Sequence, residues 1–257
     1  MRDQTSALIA AARVQTHSGL DRNAASDTPL PSPKPPAIDR IQNNILAASE
    51  RKLLNWLCAH LPRRIMPDHL TAVGFAGTLL TMIGYTLSGT SAVWLLIAIL
   101  GYCINWFGDS LDGSLARYRR IERPAFGYFI DHSLDAVGNL LTMIGFGLSP
   151  FVRMDVALAA ASAYLLLSAH TFLTARVSGT FRLSYGLMGP TELRVMLILL
   201  TVAMWLRGPA GMPVMGYSAF DLFIGGAAMV LMLIFAKQTF TVARVLVNAE
   251  PPSGPTG

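Results

Sequence analysis

Long apolar segments dominate this chain of 257 residues and restrict the folds that it can adopt. They lie at residues 69–88, 93–117, 126–148, 154–176, 192–207 and 219–241. A helix of about 20 apolar residues crosses the roughly 30 Å hydrocarbon core of a bilayer. A helix also pairs its own backbone N–H and C=O groups, which no water can reach there. The sequence therefore predicts an all-α membrane protein with six transmembrane helices, of which the fifth is short.

The composition agrees with a membrane protein and excludes several other classes. Hydrophobic residues make up 53% of the chain and charged residues only 14%, which is unusual for a soluble domain. The two cysteines, Cys58 and Cys103, are too far apart in sequence to indicate a disulfide framework or a zinc site. The net charge of +5 is not accompanied by interleaved basic and aromatic stretches. We therefore expect a lipid bilayer as partner and no nucleic acid.

The remaining parts of the chain lie outside the apolar segments: the two polar ends and the segment just before the first apolar stretch. Residues 1–40 are polar and rich in proline, which predicts a disordered N-terminal arm, and 249–257 predict a disordered tail. Residues 41–66 mix leucines and Trp56 with charged side chains, which is typical of an amphipathic helix at the membrane interface. An ordinary helix packed on the domain is the alternative. Residues 67–248 are predicted to form the membrane domain.

Basic residues indicate how the spans are oriented. If the N-terminus is cytosolic, nearly all Lys and Arg residues beside the spans lie on the cytosolic side. Only Arg153 and Arg207 fall on the opposite side. Because cytosolic flanks carry an excess of Lys and Arg, we expect both termini to be cytosolic.

An acidic motif interrupts the second and third apolar segments. The chain reads D-S-L-D-G-S-L-A-R from Asp109 and G-Y-F-I-D-H-S-L-D up to Asp135. On helices, Asp109 shares a face with Asp112, and Asp131 shares one with Asp135. Two such faces, on a tight antiparallel pair of helices, would form an oxygen cage for hard divalent cations. Interfacial solvation of four acids is the plain alternative, but carboxylates at membrane depth point to function.

Residues beside the acids have both functional and structural interpretations. Gly113, Ala116 and Gly127 lack bulky side chains, so a helix or a ligand can approach closely. Arg117 could neutralise a phosphate or an acid, or extend to the surface as a topological anchor. His132 could relay protons or bind phosphate, but a packing role is at least as plausible. His170, inside an apolar segment, is predicted to be an interhelical residue with satisfied hydrogen bonds.

The motif D-x2-D-G-x2-A-R-x9-G-x3-D-x3-D resembles the signature of the CDP-alcohol phosphotransferase (CDP-alcohol phosphatidyltransferase) family. These are membrane enzymes of phospholipid head-group synthesis. Every fixed position of the signature is present: Asp109, Asp112, Gly113, Ala116, Arg117, Gly127, Asp131 and Asp135. Residues 67–71, P-D-H-L-T, are similar to the family's common P-N-x-L-T, with Asp68 where Asn is usual. The six spans and the interfacial helix also resemble that family.

The resemblance implies a transferase. Its donor would be CDP-linked, usually CDP-diacylglycerol, and a hydroxyl of a polar acceptor alcohol would displace CMP with the help of two Mg²⁺ or Mn²⁺ ions. By the resemblance, Asp109, Asp112 and Asp131 are metal ligands, and Asp135 is the general base and touches metal. The implied nucleotide and pyrophosphate site comprises Thr71, Asp112, Gly113, Ala116, Arg117 and Gly127. A homodimer in the cell inner membrane, with a cytosolic active site, is also implied.

The acceptor stays open at this stage. Arg123, Arg182 and Arg194 could converge on an acceptor phosphate, which would favour glycerol phosphate or an inositol phosphate. The same arginines are equally explained by cytosolic topology, and Glu192 could instead contact a cationic head group such as choline.

Two other functions compete with this interpretation. Membrane prenyltransferases also bind pyrophosphate through Asp and Mg²⁺, but their acidic motifs are repeated on separated helices of larger bundles. A divalent-cation transporter would need polar groups across the whole bilayer, whereas these acids lie toward one face. We therefore expect phosphotransfer, with the prenyltransferase as the first alternative and the transporter as the second.

Overall fold

The computed structural model describes residues 47–178, 190–209 and 216–249 of the chain. Within these ranges the chain forms seven α-helices. They are α1 (Ala47–His60), α2 (Pro67–Leu87), α3 (Val93–Arg119), α4 (Pro124–Leu148), α5 (Met154–Ser178), α6 (Pro190–Arg207) and α7 (Ala219–Ala249). The predicted all-α architecture is confirmed for these residues. The N-terminal arm at 1–40 and residues 250–257 of the tail lie outside them.

Each predicted apolar segment corresponds to one helix, from α2 to α7. Four helical stretches are long and apolar enough to cross a membrane: Pro67–Leu87, Val93–Arg119, Met154–Val177 and Ala219–Ala249. In α4 the apolar sequence is broken by Asp131, His132, Asp135 and Asn139. Helix α6 is only 18 residues long and includes three charged residues, Glu192, Arg194 and Arg207. The predicted count of six spans therefore stays a prediction.

Local sequence signals set several helix boundaries. Proline occupies the first position of α2, α4 and α6, where its missing N–H has no helical partner to lose. Helix α3 ends at Arg119 and is capped by Arg120, whose φ of 57° is left-handed and whose N–H bonds to the carbonyls of Ala116 and Arg117. This cap turns the chain sharply between the two halves of the acidic motif.

Helices α2 and α3 pack with their backbones almost in contact. A Cβ added to Gly77 would lie 2.4 Å from the backbone N of Asn105, and one on Gly108 would lie 2.3 Å from the N of Gly74. Near the other end, a Cβ on Gly84 would lie 2.6 Å from the N of Ala98. Side chains at these positions would force the helices apart, so glycine fixes their separation.

Helix α4 does not form the tight pair with α3 that the sequence suggested. Both helices pack along α2 and share few close backbone contacts with each other. The reason is again small residues, because a Cβ on Gly145 of α4 would lie 2.9 Å from the Cα of Met82 in α2. With α2 between them, α3 and α4 present their acidic residues to a common space instead of to a packed interface.

Helix α1 packs one face on the domain and exposes an apolar face. Leu54 and Cys58 are buried in a cluster with Leu70, Leu111 and Leu115. Leu53 and Trp56 are 45% and 58% exposed. The helix therefore has the packing contact of the alternative interpretation, and its predicted place at the membrane interface stays a prediction.

Hydrogen bonds and aromatic contacts join the remaining helices. Tyr85 of α2 stacks on Phe146 of α4 with ring centroids 4.1 Å apart. His170 of α5 makes 3.3 Å hydrogen bonds to Thr174 and, across the helices, to Thr239 of α7. The interhelical interpretation of His170 is confirmed. Cys58 and Cys103 are both free thiols.

Candidate functional site

The acidic residues of α3 and α4 face one another across the start of α2. Asp135 interacts electrostatically with Asp109 and Asp131, and Asp109 also interacts with Asp131 at hydrogen-bonding range. The charge of Arg194, from α6, acts on Asp109 and Asp135. Helices α3, α4 and α6 therefore contribute charged side chains to one region of the fold.

Asp131 and Asp135 form the part of the site that is best arranged for a cation. Ligand atoms from these two carboxylates and from the ring of His132 all lie within 4.8 Å of one another. The Asp135 side chain is exposed, while Asp131 and His132 are half-buried. Carboxylate oxygens suit hard divalent cations, and an imidazole nitrogen suits Mn²⁺ better than Mg²⁺. The donor set thus fits a divalent metal.

Asp109 is held by an arginine. Its Oδ2 accepts a hydrogen bond from Nη2 of Arg194, and the Nε of Arg194 donates to Oδ1 of Asn105 at 2.9 Å. The amide nitrogen of Asn105 in turn donates to Thr78 Oγ1 at 3.1 Å and to the Gly74 carbonyl at 3.2 Å. This network satisfies each polar group with a partner on another helix, and it fixes the guanidinium beside the carboxylate.

Asp112 is oriented by α2 and by its own helix. The Thr71 hydroxyl donates to Asp112 Oδ2 at 2.6 Å, and the backbone N–H of Gly113 donates to Oδ1. Thr71 Oγ1 also lies 3.2 Å from the Pro67 carbonyl. The two oxygens of Asp112 are therefore fixed, and the residue that resembles the family's Thr lies directly beside the acidic motif.

The small residues of the motif border open space or a flexible side chain. A Cβ on Gly113 would lie 3.2 Å from Nη1 of Arg117, and nothing lies within 4 Å of a Cβ on Gly127. Arg117 is exposed, and its Nη2 is 3.4 Å from Ser114 Oγ. The Ala116 carbonyl accepts hydrogen bonds from the turn after α3. Gly127 and Arg117 thus lie on the open side of the motif.

Arg123 is paired with the residue that departs from the family pattern. It forms an ion pair with Asp68, and both side chains are more than half exposed. Its guanidinium also lies over the ring of Phe126, 4.2 Å from the centroid. Of the three arginines considered for the acceptor, Arg194 is therefore the one beside the acids, and Arg182 lies outside the described residues.

Arg119 fixes the turn that presents α2 to the site, a role that sequence reasoning did not anticipate. It donates hydrogen bonds to the carbonyls of Leu61 and Pro62 at 3.1 and 3.0 Å, and to that of Ile65. These carbonyls follow α1 and would otherwise lack helical partners. The basic residues that follow Arg117 could have suggested such a role, but basic residues beside a span primarily indicate its cytosolic end.

His132 is packed as well as placed beside the acids. Its Nδ1 is 3.3 Å from Asp131 Oδ2, and its ring contacts Tyr128 and Phe172 with centroids 4.3 and 5.3 Å apart. The packing interpretation from the sequence is therefore present together with a contact to the motif. Asn105, one turn before Asp109, is a site residue that no sequence signal singled out.

Comparison with known proteins gives these residues a family. Residues 64–247 match the family model described as CDP-alcohol phosphatidyltransferase. The chain is 26% identical to cholinephosphotransferase 1 of Danio rerio over 181 residues, which is 63% of this chain and 46% of that protein. It is 30% identical to archaetidylinositol phosphate synthase of Pyrococcus horikoshii over 122 residues, or 48% and 53% of the two chains.

A third relative is shorter in its match. The inner membrane protein YnjF of Escherichia coli strain K12 is 39% identical over 82 residues, which cover 32% of this chain and 36% of that protein. The chain thus spans about half, or less, of the length of the curated relatives that it matches. With four helices of spanning length, it is an integral membrane protein. The family match covers well over half of the sequence and contains the whole acidic motif, and the chain therefore belongs to the CDP-alcohol phosphatidyltransferase family.

Proposed function

We propose that the protein transfers a phosphatidyl group, or another substituted phosphate group, from a CDP-linked donor to the hydroxyl of a polar alcohol. CDP-diacylglycerol is the proposed donor, and CMP is the leaving product. The observation that carries the proposal is the convergence of Asp109, Asp131 and Asp135 on one site within a family match at 64–247. These charged groups are clustered in one region, whereas a transport path would need polar groups across the whole bilayer. The cluster therefore suits binding of a pyrophosphate substrate better than ion transport.

The donor's nucleotide and pyrophosphate would lie along the first half of the motif. Gly113, Ala116 and Gly127 leave room there, and the exposed Arg117 supplies a positive charge for a phosphate oxygen. Thr71 holds the carboxylate of Asp112 in place, so that Asp112 faces both the donor and the metal site.

The four aspartates would hold two divalent cations, Mg²⁺ or Mn²⁺. Asp109, Asp112 and Asp131 serve as ligands, with Asp135 at the edge of the group. When bound, such ions supply positive charge to the attacking and leaving oxygens of a phosphoryl transfer.

Asp135 is the proposed general base. Its exposed carboxylate takes the proton of the acceptor hydroxyl as the oxygen bonds to the phosphorus nearer the lipid. The bond from that phosphorus to the CMP oxygen breaks in the same step.

The acceptor is proposed to carry a phosphate, with Arg194 as its contact. Arg194 pairs with Asp109 at the acidic site, whereas Arg123 pairs with the exposed Asp68. The named relatives act on different head groups, one called a cholinephosphotransferase and the other an archaetidylinositol phosphate synthase. Arg194 favours an anionic acceptor of the second kind.

The membrane arrangement is part of the proposal. Residues 67–248 form a six-span domain, α1 lies on the membrane surface, and both termini and the site are cytosolic, in the inner membrane of a cell. The support is the basic segment that includes Arg119, Arg120 and Arg123 at the same end as the acids. A homodimer is also proposed, by the resemblance to the family.

The test is CMP release by the purified protein from CDP-diacylglycerol with Mg²⁺. The acceptor panel is glycerol phosphate, inositol, inositol phosphate, serine and choline. CMP release that depends on one acceptor would establish the reaction and its product together. Mg²⁺-dependent binding of the donor without CMP release would mean an acceptor outside the panel. No donor binding, or pyrophosphate release from a prenyl donor, would overturn the proposal.

A further inference from the structure

A carboxylate of helix α1 reaches two of the helices that build the site. Oε1 of Glu50 accepts hydrogen bonds from Trp106 Nε1 at 2.9 Å and from Ser110 Oγ at 3.2 Å, both on α3. The same oxygen accepts one from Thr191 Oγ1 at 2.9 Å, in the first turn of α6. Glu50 thus connects three helices through a single half-buried oxygen.

The partners of Glu50 flank the ion pair at the acidic site. Ser110 is the neighbour of Asp109, and Thr191 lies one helical turn before Arg194. Glu50 therefore fixes the start of α6 against α3 at the level where Arg194 reaches Asp109 and Asn105. The hydrogen bond from Thr191 to Glu50 joins α6 to α1 through one carboxylate oxygen.

Arg194 has an electrostatic consequence for any cation at the site. Its guanidinium occupies one oxygen of Asp109 and places a positive charge near Asp135. A divalent cation that uses Asp109 must displace that hydrogen bond or bind against that charge. The more stable the hydrogen bond between Arg194 and Asp109 is, the lower we expect the affinity of the acidic residues for a divalent cation to be.

We propose that Glu50 is a positioning residue that holds Arg194 on Asp109 and thereby limits the divalent-cation affinity of the site. This inference rests on the proposed function, because it takes the four aspartates as the cation site. Glu50 acts through Thr191 and Arg194 and touches no reacting atom. A carboxylate on the surface-facing helix α1 thus controls the charge balance around the acids.

Mn²⁺ binding, measured by the loss of the free-ion EPR signal on addition of purified protein, tests the proposal without any turnover. Arg194→Gln is expected to lower the Mn²⁺ Kd about tenfold, the size of one hydrogen bond to a charged group. Glu50→Ala is expected to lower the Kd by a smaller factor. Glu50→Gln keeps an acceptor oxygen for all three donors and is expected to restore the wild-type Kd. Glu122→Ala removes an exposed carboxylate and serves as the matched control.

A double-mutant cycle separates positioning from a general loosening of the fold. If Glu50 acts through Arg194, adding Glu50→Ala to Arg194→Gln leaves the Kd of the single Arg194 variant unchanged. Additive effects, an unchanged Kd in Glu50→Ala, or a Kd in Glu50→Gln as low as that of Glu50→Ala would each overturn the proposal. If Glu50→Ala does not fold, Thr191→Val removes the α6 contact alone and is expected to reproduce the tighter binding.

The Mn²⁺ measurement also distinguishes this inference from the proposed function. Wild-type protein that binds Mn²⁺ but releases no CMP with any acceptor would overturn the proposed reaction, while the Glu50 cycle would still decide the inference. Wild-type protein that releases CMP but shows no Glu50-dependent change in Mn²⁺ binding would overturn only the inference. Loss of binding in Asp131→Asn is required to show that the Mn²⁺ signal comes from this site.

Discussion

The hydroxyl of Thr71 donates a 2.6 Å hydrogen bond to Oδ2 of Asp112 and so joins the start of α2 to the acidic face of α3. With the Gly113 N–H on the other oxygen, the carboxylate has a fixed orientation. Thr71 therefore connects the P-D-H-L-T segment to the acidic motif by direct contact, although 41 residues separate the two side chains.

Removing the Thr71 hydroxyl should impair turnover without unfolding the protein. Thr71→Val keeps the shape of the side chain but loses a hydrogen bond to a charged group, worth about 1.5–3 kcal/mol. We expect kcat/KM for CDP-diacylglycerol, measured by CMP release, to fall about tenfold or more. Thr71→Ser keeps the hydroxyl and is the matched control. Equal activity in the Val and Ser variants would contradict a role for this hydrogen bond.

Substitutions of Asp135 and Asp109 should affect different steps, turnover in the first case and metal-dependent donor binding in the second. Asp135→Asn keeps the size of the side chain but cannot accept the proton, so kcat should fall about 10²- to 10⁴-fold. Donor binding with Mg²⁺, measured by titration with CDP-diacylglycerol, should be retained in this variant. Asp109→Asn should instead weaken that metal-dependent binding. An Asp135→Asn enzyme with nearly wild-type turnover would show that the base is another group.

Adding one methyl group between α2 and α3 should destabilise the fold. In Gly77→Ala the new Cβ would lie 2.4 Å from the Asn105 backbone N, and overpacking of this kind costs about 1–3 kcal/mol or more. We expect a lower melting temperature of the detergent-purified protein, with lower activity because Asp109 moves with α3. Gly226→Ala, on α7 with nothing within 4 Å of its Cβ, is the control. If both variants melt at the wild-type temperature, the close approach of the two backbones is wrong.

Replacing Asp68 with the family's usual residue should have little effect. The Asp68–Arg123 ion pair is more than half exposed on both sides, and such pairs contribute about 0–1 kcal/mol. Asp68→Asn should therefore melt within a few degrees of wild type and keep its CMP release, and the small difference should shrink at high salt. A large loss of activity at both low and high salt would instead indicate that Asp68 contacts a substrate.

The secondary structure and the acidic faces could be predicted because they depend on local patterns. Apolar segments and prolines gave the helices, and the spacing of the aspartates gave their shared faces. The partner of α3 could not be found in this way. Gly77 of α2 packs on α3 and Gly108 of α3 packs on α2, so that α2 lies between α3 and α4. Which helix packs on α3 therefore depends on tertiary contacts.

Long-range side-chain partners were also beyond the sequence. Arg194 is 85 residues from Asp109 and Glu50 is 141 residues from Thr191, so no spacing rule connects them. Asp68 was recognised as a departure from the family pattern, but its pairing with Arg123 explains why an acid is tolerated there. The family was thus readable from the motif, whereas the residues that orient the acidic side chains depend on the packed fold.

The glycine contacts between α2 and α3 have a mechanical consequence. Because the two backbones approach closely at Gly77, Gly84 and Gly108, we expect α2 and α3 to move as one rigid unit. Thr71, Asp109 and Asp112 all lie on this helix pair, so we expect the distances between them to stay fixed. We therefore expect any widening of the site for a lipid-linked donor to come from α4 and α6, which carry Asp131, Asp135 and Arg194.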